Sequence, residues 1–422
     1  MTLDLHTNRK MFKRQYRLSE ANKEEVARQV KEMEDADVIE RSSSAFYDSP
    51  TYLVAKKNGS KRLVVDLRGI NSLIIPKLVQ LPCVGKLLDT ITAKKPKYLS
   101  CVDIRAAYYQ LGLMEESRDL TTFTGPDGRR RRYKRCPFGL NNFPSQLNLH
   151  LSNIFSDKTL FDSLAYYVDD ILIYSTDWES HLEQLELTLK TLSENEISCN
   201  SNKTEIGFLE LEYLGHRISG DSVRISEKRI EAISKISAPK NVKGFQRLLG
   251  MFNFWRKSIP YYSRNTFHMR KLLRKDVPFK WTAECQTELD YLKNCLVSDP
   301  ILKPIDFNRD LVISCDASIY GTGFVIMQAD DDGILHAVRY GSFACTHSQS
   351  AYSAEDLEAV ALMHALKSVE WLAQCRHVTV ITDNTAVLHI ADWTPRNRRQ
   401  RRMLTYIMQF NLTVLYLSLI HI

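Results

Sequence analysis

Hydrophobic and polar positions change period several times along the chain, and each change outlines an element. The first twenty residues are polar and read as extended. Ser19 then reads as a helix N-cap, and Val26, Val30 and Met33 at i, i+4 and i+7 predict a helix to about Asp35. Between Ser49 and Asn71 the period drops to two. There TYLVAKK and KRLVVDL flank Asn58-Gly59, a dipeptide suited to a tight hairpin turn. KYLSCVD (97–103) alternates and predicts a strand ending on Asp103, on the face that carries Leu99 and Cys101. Residues 144–156 predict a helix. AYYVDDILIYS (165–175) predicts a hairpin with Asp169 and Asp170 at its tip, followed by a Leu-rich helix over 181–194 and strands around 211–219. From Ser226 to about Asp299 the pattern is helical, with Phe245, Leu248, Leu249 and Phe252 at i, i+3, i+4 and i+7. A second α/β pattern opens near Pro304: LVISCD, GTGFVIMQ, a helix from about Ser353, then VTVITD. The change near residue 300 predicts a domain boundary.

Length and composition narrow the class. At about 100–200 residues per domain, 422 residues suggest two to four domains. Hydrophobic residues at 44% and charged residues at 25% exclude a mainly disordered or collagen-like chain. No apolar run reaches the roughly 18 residues of a transmembrane helix, and the N-terminus lacks the apolar core of a secretory signal, so no membrane partner is expected. The net charge of +7 is a mild bias toward polyanions. The 9 cysteines form no CxxC and no zinc-type spacing, which suits a reducing, intracellular setting with most thiols buried as small hydrophobes.

The chemistry concentrates in carboxylates. Two adjacent Asp residues at a hairpin tip resist joint ionisation unless a cation neutralises them. Asp103, ending another strand, could converge on the same point. Hard oxygen donors in that number suit Mg²⁺, and two such ions could clamp an in-line attack at phosphorus. Asp-Asp alone is more often the ordinary content of a turn.

The flanking blocks change the balance. KKNGSKRLVVDLRGIN (56–71), VDIRAAYYQ (102–110), PFGLNNFPS (137–145), YYVDDILIYS (166–175) and YLGHRIS (213–219) occur in the order found in reverse transcriptases. FQRLLGMFNFWRKSIPYYS (245–263), FKWTAECQTELDYLKNCLVSDPIL (279–302) and the following DAS resemble the polymerases of gypsy-type LTR retrotransposons. The resemblance runs from about residue 20 to 416. It implies an α+β multidomain chain: a right-hand polymerase with fingers, palm and thumb, then an α/β ribonuclease H-like domain that is C-terminally incomplete. The expected division is an extended segment 1–19, fingers and palm 20–225, thumb and linker 226–303, and the nuclease-like domain 304–422. The resemblance makes Asp103, Asp169 and Asp170 the metal-binding carboxylates, with two Mg²⁺ per active site and Mn²⁺ as an alternative. It makes Lys56 and Arg62 the residues that hold the incoming deoxynucleoside triphosphate, and Tyr108 the aromatic gate beneath its sugar. It places Phe138 near the nascent base pair, and Leu214, Gly215 and His216 in a hairpin that grips the primer end. For Phe138 and the last three, ordinary core packing is an equal reading.

A second carboxylate set is Asp316, Glu358 and Asp383. By spacing alone these are solvated or capping acids. The order DAS…E…TDN resembles ribonuclease H and makes the three its metal ligands, with Glu358 rather than Glu355 chosen from the spacing to Tyr352 and Ala365. The family's fourth Asp does not appear, and the chain reads LSLIHI after Tyr416, which puts full nuclease activity in doubt. Arg129, Arg130, Arg131 and Arg132 follow a Pro126-Asp127-Gly128 turn and read as a nucleic-acid contact, while Arg396, Arg398, Arg399, Arg401 and Arg402 form a second cluster. A solvated charged face is the usual reading of a lone run; beside a template-binding reading the first cluster favours contact, and the second less so because it lies next to the irregular end. His150, His364 and His389 have no metal-ligand partners at useful spacing.

The expected reaction is RNA-directed DNA synthesis on an RNA or DNA template from a DNA primer, with cutting of the RNA–DNA hybrid. It is expected in the cytoplasm or in virus-like particles, with protease and integrase parts of a Pol polyprotein encoded elsewhere. The rival readings are a decayed element product that binds nucleic acid without copying it, and an RNA-templated RNA polymerase.

Overall fold

The structure is a computed structural model that describes residues 1–416 except 8, 45, 56–58, 78–80, 158–160, 221, 275 and 299–301. Lys56, Asn58 and the residues from Leu417 onward lie outside the described residues. The chain forms two compact units, Met1–Leu87 with Lys97–Leu211, and Leu88–Pro96 with Glu212–Ile422. Among the described residues no helix is long and apolar enough to cross a membrane.

In the first unit, helix α1 (Glu20–Asp35) buries Val26 and Val30 as its periodicity requires. Ser19 has the extended backbone of an N-cap, but its side chain makes no capping hydrogen bond. The hairpin Thr51–Ala55/Lys61–Val65 pairs antiparallel. Beyond it lies a four-stranded sheet, β1 (Tyr98–Asp103), β2 (Leu164–Tyr167), β3 (Asp170–Ser175) and β4 (Glu205–Phe208), in the order β4-β1-β3-β2. Every pairing in it is antiparallel. Helix α2 (Phe143–Ile154) contributes Leu147 and Leu151, and α3 (Trp178–Glu194) contributes Leu185 and Leu192, to one core with Val102, Ile171 and Ile173. Helix α3 begins three residues before the expected start, because the Asp177 side chain accepts the Ser180 N–H at 2.9 Å and caps it. The alternation in β1 does not separate a wet face from a dry one. Leu99, Ser100 and Val102 are all buried, and Ser100 Oγ lies 2.7 Å from His181 Nε2 of α3.

The second unit has two cores. Helices α4 (Val242–Phe254) and α5 (Ala283–Val297) bury Phe245, Leu248 and Phe252 against Leu289, Leu292 and Leu296. The other core belongs to a five-stranded sheet: β5 (Leu311–Ser318), β6 (Gly321–Ala329), β7 (Leu335–Ala344), β8 (Val378–Thr382) and β9 (Leu412–Tyr416). Its order is β7-β6-β5-β8-β9, with β5/β8 and β8/β9 parallel and the rest antiparallel. Helix α6 (Ala354–Ser368) lies on this sheet, buried along Leu357, Val360 and Ala361, and α7 (Arg398–Ile407) packs beside it through Met403 and Ile407. The Ser263 N–H donates to Ser342 Oγ at 3.0 Å, and the Arg256 guanidinium sits 4.6 Å from the Phe343 ring centre, so the helical part is fastened to β7.

Candidate active site

Strand register builds the first site. β3 pairs with β1 so that Asp170 stands directly opposite Asp103. The turn between β2 and β3 is tight: Val168 takes φ 56°, an unfavourable left-handed conformation for a β-branched residue. Asp169 is fixed in the same turn by its carbonyl, which accepts the Ile104 N–H at 3.0 Å. Two neighbouring carboxylates thus meet a third across one pair of strands.

The electrostatics follow. Burial, then Asp169 and Asp103, push the Asp170 carboxyl up to about 6, and Lys203 opposes them. Burial, then Asp170, Glu205 and Asp103, push the Cys101 thiol up to about 12, so it is an inert neighbour. Asp103 is compensated by its own unit: Lys203 Nζ lies 3.2 and 3.3 Å from its two oxygens, and Asn200 Nδ2 donates at 3.3 Å. Sequence reasoning missed both residues, which lie about a hundred positions from Asp103 with no spacing that points to it. Among the described residues no three His, Cys, Asp or Glu side chains form a group that could hold a metal ion. The donor set still fits a hard cation by its chemistry: three carboxylates share one strand end, and the Asp170 carboxyl is raised by burial and by the other two, a repulsion that a divalent ion would relieve.

Three of the expected nucleotide-binding residues come together. The Arg62 guanidinium lies 4.7 Å from the centre of the Phe138 ring. Phe138 is 4.5 Å from Tyr108, which stacks on Phe143 at 3.7 Å and 15°. Burial and then the Asp169 charge raise the Tyr108 phenol, so this aromatic column ends beside the carboxylates. The loop carrying Phe138 is held by Asn71, whose Nδ2 donates to the Gly139 carbonyl at 2.7 Å and whose Oδ1 accepts the Asn141 N–H at 3.1 Å.

Leu214 and Gly215 have φ 51° and 77°, the two left-handed residues of a tight turn between Glu210–Tyr213 and His216–Ser219. A Cβ at Gly215 would fall 1.8 Å from the Arg229 guanidinium carbon, so a side chain there would displace that arginine and take a strained left-handed backbone. His216 packs 4.7 Å from Trp255, and burial followed by Arg229 and Lys257 pulls its pKa down to about 4. These three residues belong to the second unit.

The arginine run is not uniformly open. Arg131 is buried and pairs with Glu34 at 2.8 Å and Asp127 at 2.7 Å. Arg132 pairs with Glu40, Asp119 and Glu115. Arg130 Nη1 donates to the Ser44 carbonyl at 2.8 Å, and Arg129 stays exposed, 3.8 Å from Asp127.

The second carboxylate set lies at the ends of β5 and β8 and on α6. Asp316 pairs with Gly323 near the end of β5, and Asp383 directly follows β8. Glu358 Oε1 accepts the Ala317 N–H at 3.0 Å, while its buried Oε2 has no hydrogen-bond partner. Burial, aided by Asp316 and Asp383, pushes Glu358 up to about 7. Burial and Asp383 raise Asp316, with Arg264 opposing. An orphaned buried carboxylate oxygen facing two further acids fits a divalent cation by the chemistry of its donors.

Residues 54–218 match the reverse transcriptase (RNA-dependent DNA polymerase) family, and residues 281–380 match the RNase H-like domain found in reverse transcriptase. Over 423 residues the chain is 28% identical to the retrovirus-related Pol polyprotein from transposon 412 of Drosophila melanogaster, covering 99% of this chain and 34% of that protein. It is 28% identical over 382 residues to the transposon Tf2-3 polyprotein of Schizosaccharomyces pombe, covering 90% of this chain and 28% of that one. The chain therefore spans about a third of the length of these curated relatives. The fold matches foamy viral protease-reverse transcriptase solved with double-stranded DNA (TM-score 0.85, 22% identity, 98% of this chain and 72% of that chain). It also matches that protein solved with an RNA/DNA hybrid (TM-score 0.77, 22% identity, 98% and 56%). The matched segments define a chain that carries a reverse transcriptase family segment followed by a ribonuclease H-like one. Along most of its length the chain is similar to Pol polyproteins of LTR retrotransposons, which is consistent with a gypsy-type Pol fragment.

Proposed function

We propose that Asp103, Asp169 and Asp170 hold two Mg²⁺ ions for DNA synthesis in this chain. The observation that carries the reading is the register of β1 and β3, which sets Asp103 against Asp170 at the end of the Arg62–Phe138–Tyr108 column. The primer 3′-hydroxyl attacks the α-phosphorus of a deoxynucleoside triphosphate, the P–O bond to the β-phosphate breaks, and pyrophosphate leaves. The bound ions supply charge neutralisation at the attacking and leaving oxygens. Arg62 orients the triphosphate with its fork-shaped guanidinium, helped by Lys56. Tyr108 closes the space beneath the sugar and Phe138 backs it. The chain itself contributes positioning and a fixed field and forms no covalent intermediate. Leu214, Gly215 and His216 serve the primer strand, and the exposed Arg129 serves its phosphates together with Arg130, while Arg131 and Arg132 shape the hairpin that carries them. The expected division into fingers and palm, thumb, and nuclease-like domain stands as part of this reading.

Asp316, Glu358 and Asp383 form the matching site for hydrolysis of the RNA strand of the hybrid. The orphaned Glu358 Oε2 supports that assignment. The partners are RNA template, DNA primer, deoxynucleoside triphosphates and the other Pol parts, in the cytoplasm or in virus-like particles. Primer extension on poly(rA)–oligo(dT) with dTTP and Mg²⁺ tests the reading. Extension by the wild type that disappears in Asp169→Asn is expected; folded wild type that binds the hybrid without extending it would favour a binding protein that has lost catalysis.

A further inference from the structure

The second unit holds a cleft of about 280 Å³ that contains none of the six carboxylates described above. Its walls come from the segment 88–96, the linker around Pro304, the end of β6 and the start of β7.

One wall is firmly built. Gln328 is buried and fully used: its Oε1 accepts the Asp306 N–H at 2.8 Å, and its Nε2 donates to the Asp306 and Arg309 carbonyls at 2.8 and 3.1 Å. The Arg309 guanidinium donates to the Ala329 carbonyl at 2.6 Å and pairs with Asp306 at 3.3 Å and with Asp331. These bonds clamp the linker to β6, so the cleft is preformed.

The charges on the walls do not cancel. All three acids there are engaged: Asp306 by Arg309 and by Lys95 at 3.3 Å, Asp331 by Arg309, and Asp330 by His336, whose Nε2 lies 2.6 Å from its Oδ2. Two basic groups are left over. Among the described residues no acid pairs with the Lys303 ammonium, and Nδ1 of His336 makes no hydrogen bond. The same cleft carries an apolar surface of Ala93, Ile305 and Val338. A ligand that satisfies both parts has a flat apolar body and an anionic end. The volume lies just below the roughly 300–1,000 Å³ of drug-sized sites, so it suits one aromatic ring with a short polar extension. Two basic groups match the double charge of a phosphate monoester better than the single charge of a carboxylate.

We propose that this cleft binds an aromatic phosphate monoester of mononucleotide size, with Lys303 and His336 at the phosphate and Ala93, Ile305 and Val338 along the ring. The site depends on neither catalytic reading. Lys95 lies on its wall, and Asp89 of the same segment binds Arg339 of β7 at 2.7 Å, so an occupant tightens the hold of residues 88–96 on β6 and β7.

The test uses the full chain in metal-free buffer, with uridine 5′-monophosphate, phenyl phosphate, uridine and inorganic phosphate as probes. Isothermal titration and thermal shift read the binding. Both esters should bind with a dissociation constant on the order of 0.1 mM and raise the melting temperature. Uridine and inorganic phosphate should each bind about tenfold more weakly or worse, because each keeps one half of the contacts. Lys303→Gln should weaken ester binding about tenfold or more, while Lys303→Arg should keep it within about threefold. Lys228→Gln, at an exposed lysine outside the cleft, should leave it unchanged. The double variant Asp169→Asn, Asp316→Asn should bind the esters as the wild type does. No ester binding by the folded wild type overturns the inference, as does undiminished binding in Lys303→Gln or an equal loss in Lys228→Gln. Loss of binding in the double Asn variant would place the ester at a carboxylate site and overturn it too. Inorganic phosphate bound as tightly as the esters would overturn the aromatic half of the assignment. Primer extension, measured in parallel, bears on the catalytic reading alone.

Discussion

Lys203 places its ammonium 3.2 and 3.3 Å from the two carboxylate oxygens of Asp103. It compensates the Asp103 charge, and it also opposes the upward shift of Asp170. A cation arriving at Asp103 meets this ammonium as a competitor. Lys203→Gln should therefore tighten Mg²⁺ binding, by the few-fold appropriate to a partly exposed pair. A Mg²⁺ titration followed by thermal shift reads this directly, and weaker binding would show that Lys203 supports the ion rather than opposing it.

Asp170 has its pKa raised to about 6, above the ordinary carboxylate value. The sign of the linkage follows: in the metal-free protein this carboxylate favours folding when protonated, and that contribution fades as pH rises through 6. Mg²⁺ should raise the melting temperature more at pH 8 than at pH 5, where the proton competes for the same oxygens. Asp170→Asn should abolish primer extension while leaving the metal-free protein as stable as the wild type, or more so, at pH 8. A less stable Asn variant would mean that the carboxylate repulsion is already relieved within the chain.

His216 and His364 are both held near 4, in each case chiefly by burial and further by neighbouring cations. An unfolded histidine titrates near 6.5, so the unfolded chain takes up more protons between those values and stability falls as pH drops from about 6.5 to 4. Each should cost roughly 1–2 kcal/mol by pH 5. His364 sits 4.3 Å from Phe343 and 3.1 Å from Thr322 Oγ1, so His364→Phe is the milder probe. It should flatten the denaturation midpoint between pH 7 and 5.

Tyr108 is clamped between Phe138 and Phe143. Tyr108→Phe keeps the column and should keep selection for deoxynucleotides. Tyr108→Ala opens space for a 2′-hydroxyl and removes a half-buried ring, so ribonucleotide incorporation should rise by tenfold or more, with a loss of about 2–4 kcal/mol in stability. Steady-state incorporation of rUTP against dTTP measures the first, and urea denaturation the second.

Arg131 is buried between Glu34 and Asp127, so Arg131→Gln leaves two carboxylates without their partner. It should cost about 3 kcal/mol in stability. The salt dependence of duplex binding should not change, because the guanidinium is buried and already paired.

The two arginine runs show where sequence reading stopped. As letters they are equivalent, and the first had the stronger claim to nucleic acid because it follows a turn beside the polymerase blocks. The acids that occupy Arg131 and Arg132 come from Glu34, Glu40, Glu115, Asp119 and Asp127, mostly remote in sequence, so their pairing exists only in the fold. Lys203 was invisible for the same reason. The carboxylates were legible because their geometry is local: a hairpin tip fixes Asp169 and Asp170, and a strand end fixes Asp103. The aromatic column was half legible. Arg62, Tyr108 and Phe138 were named singly by resemblance, but their stacking and the part of Phe143 depend on three segments meeting. The helix over Glu20–Asp35 followed from periodicity, whereas the start of α3 depended on which of several polar residues caps it.

Residues 88–96 group with the second unit although the chain then returns to the first for 97–211. Within that unit Arg339 Nη2 binds Asp89 at 2.7 Å across 250 positions of sequence. A ribosome adding about 5–20 residues per second would release Asp89 roughly 12–50 s before its partner exists. Asp89 therefore leaves the ribosome long before Arg339 exists to pair with it, so this unit cannot close until synthesis has passed residue 339.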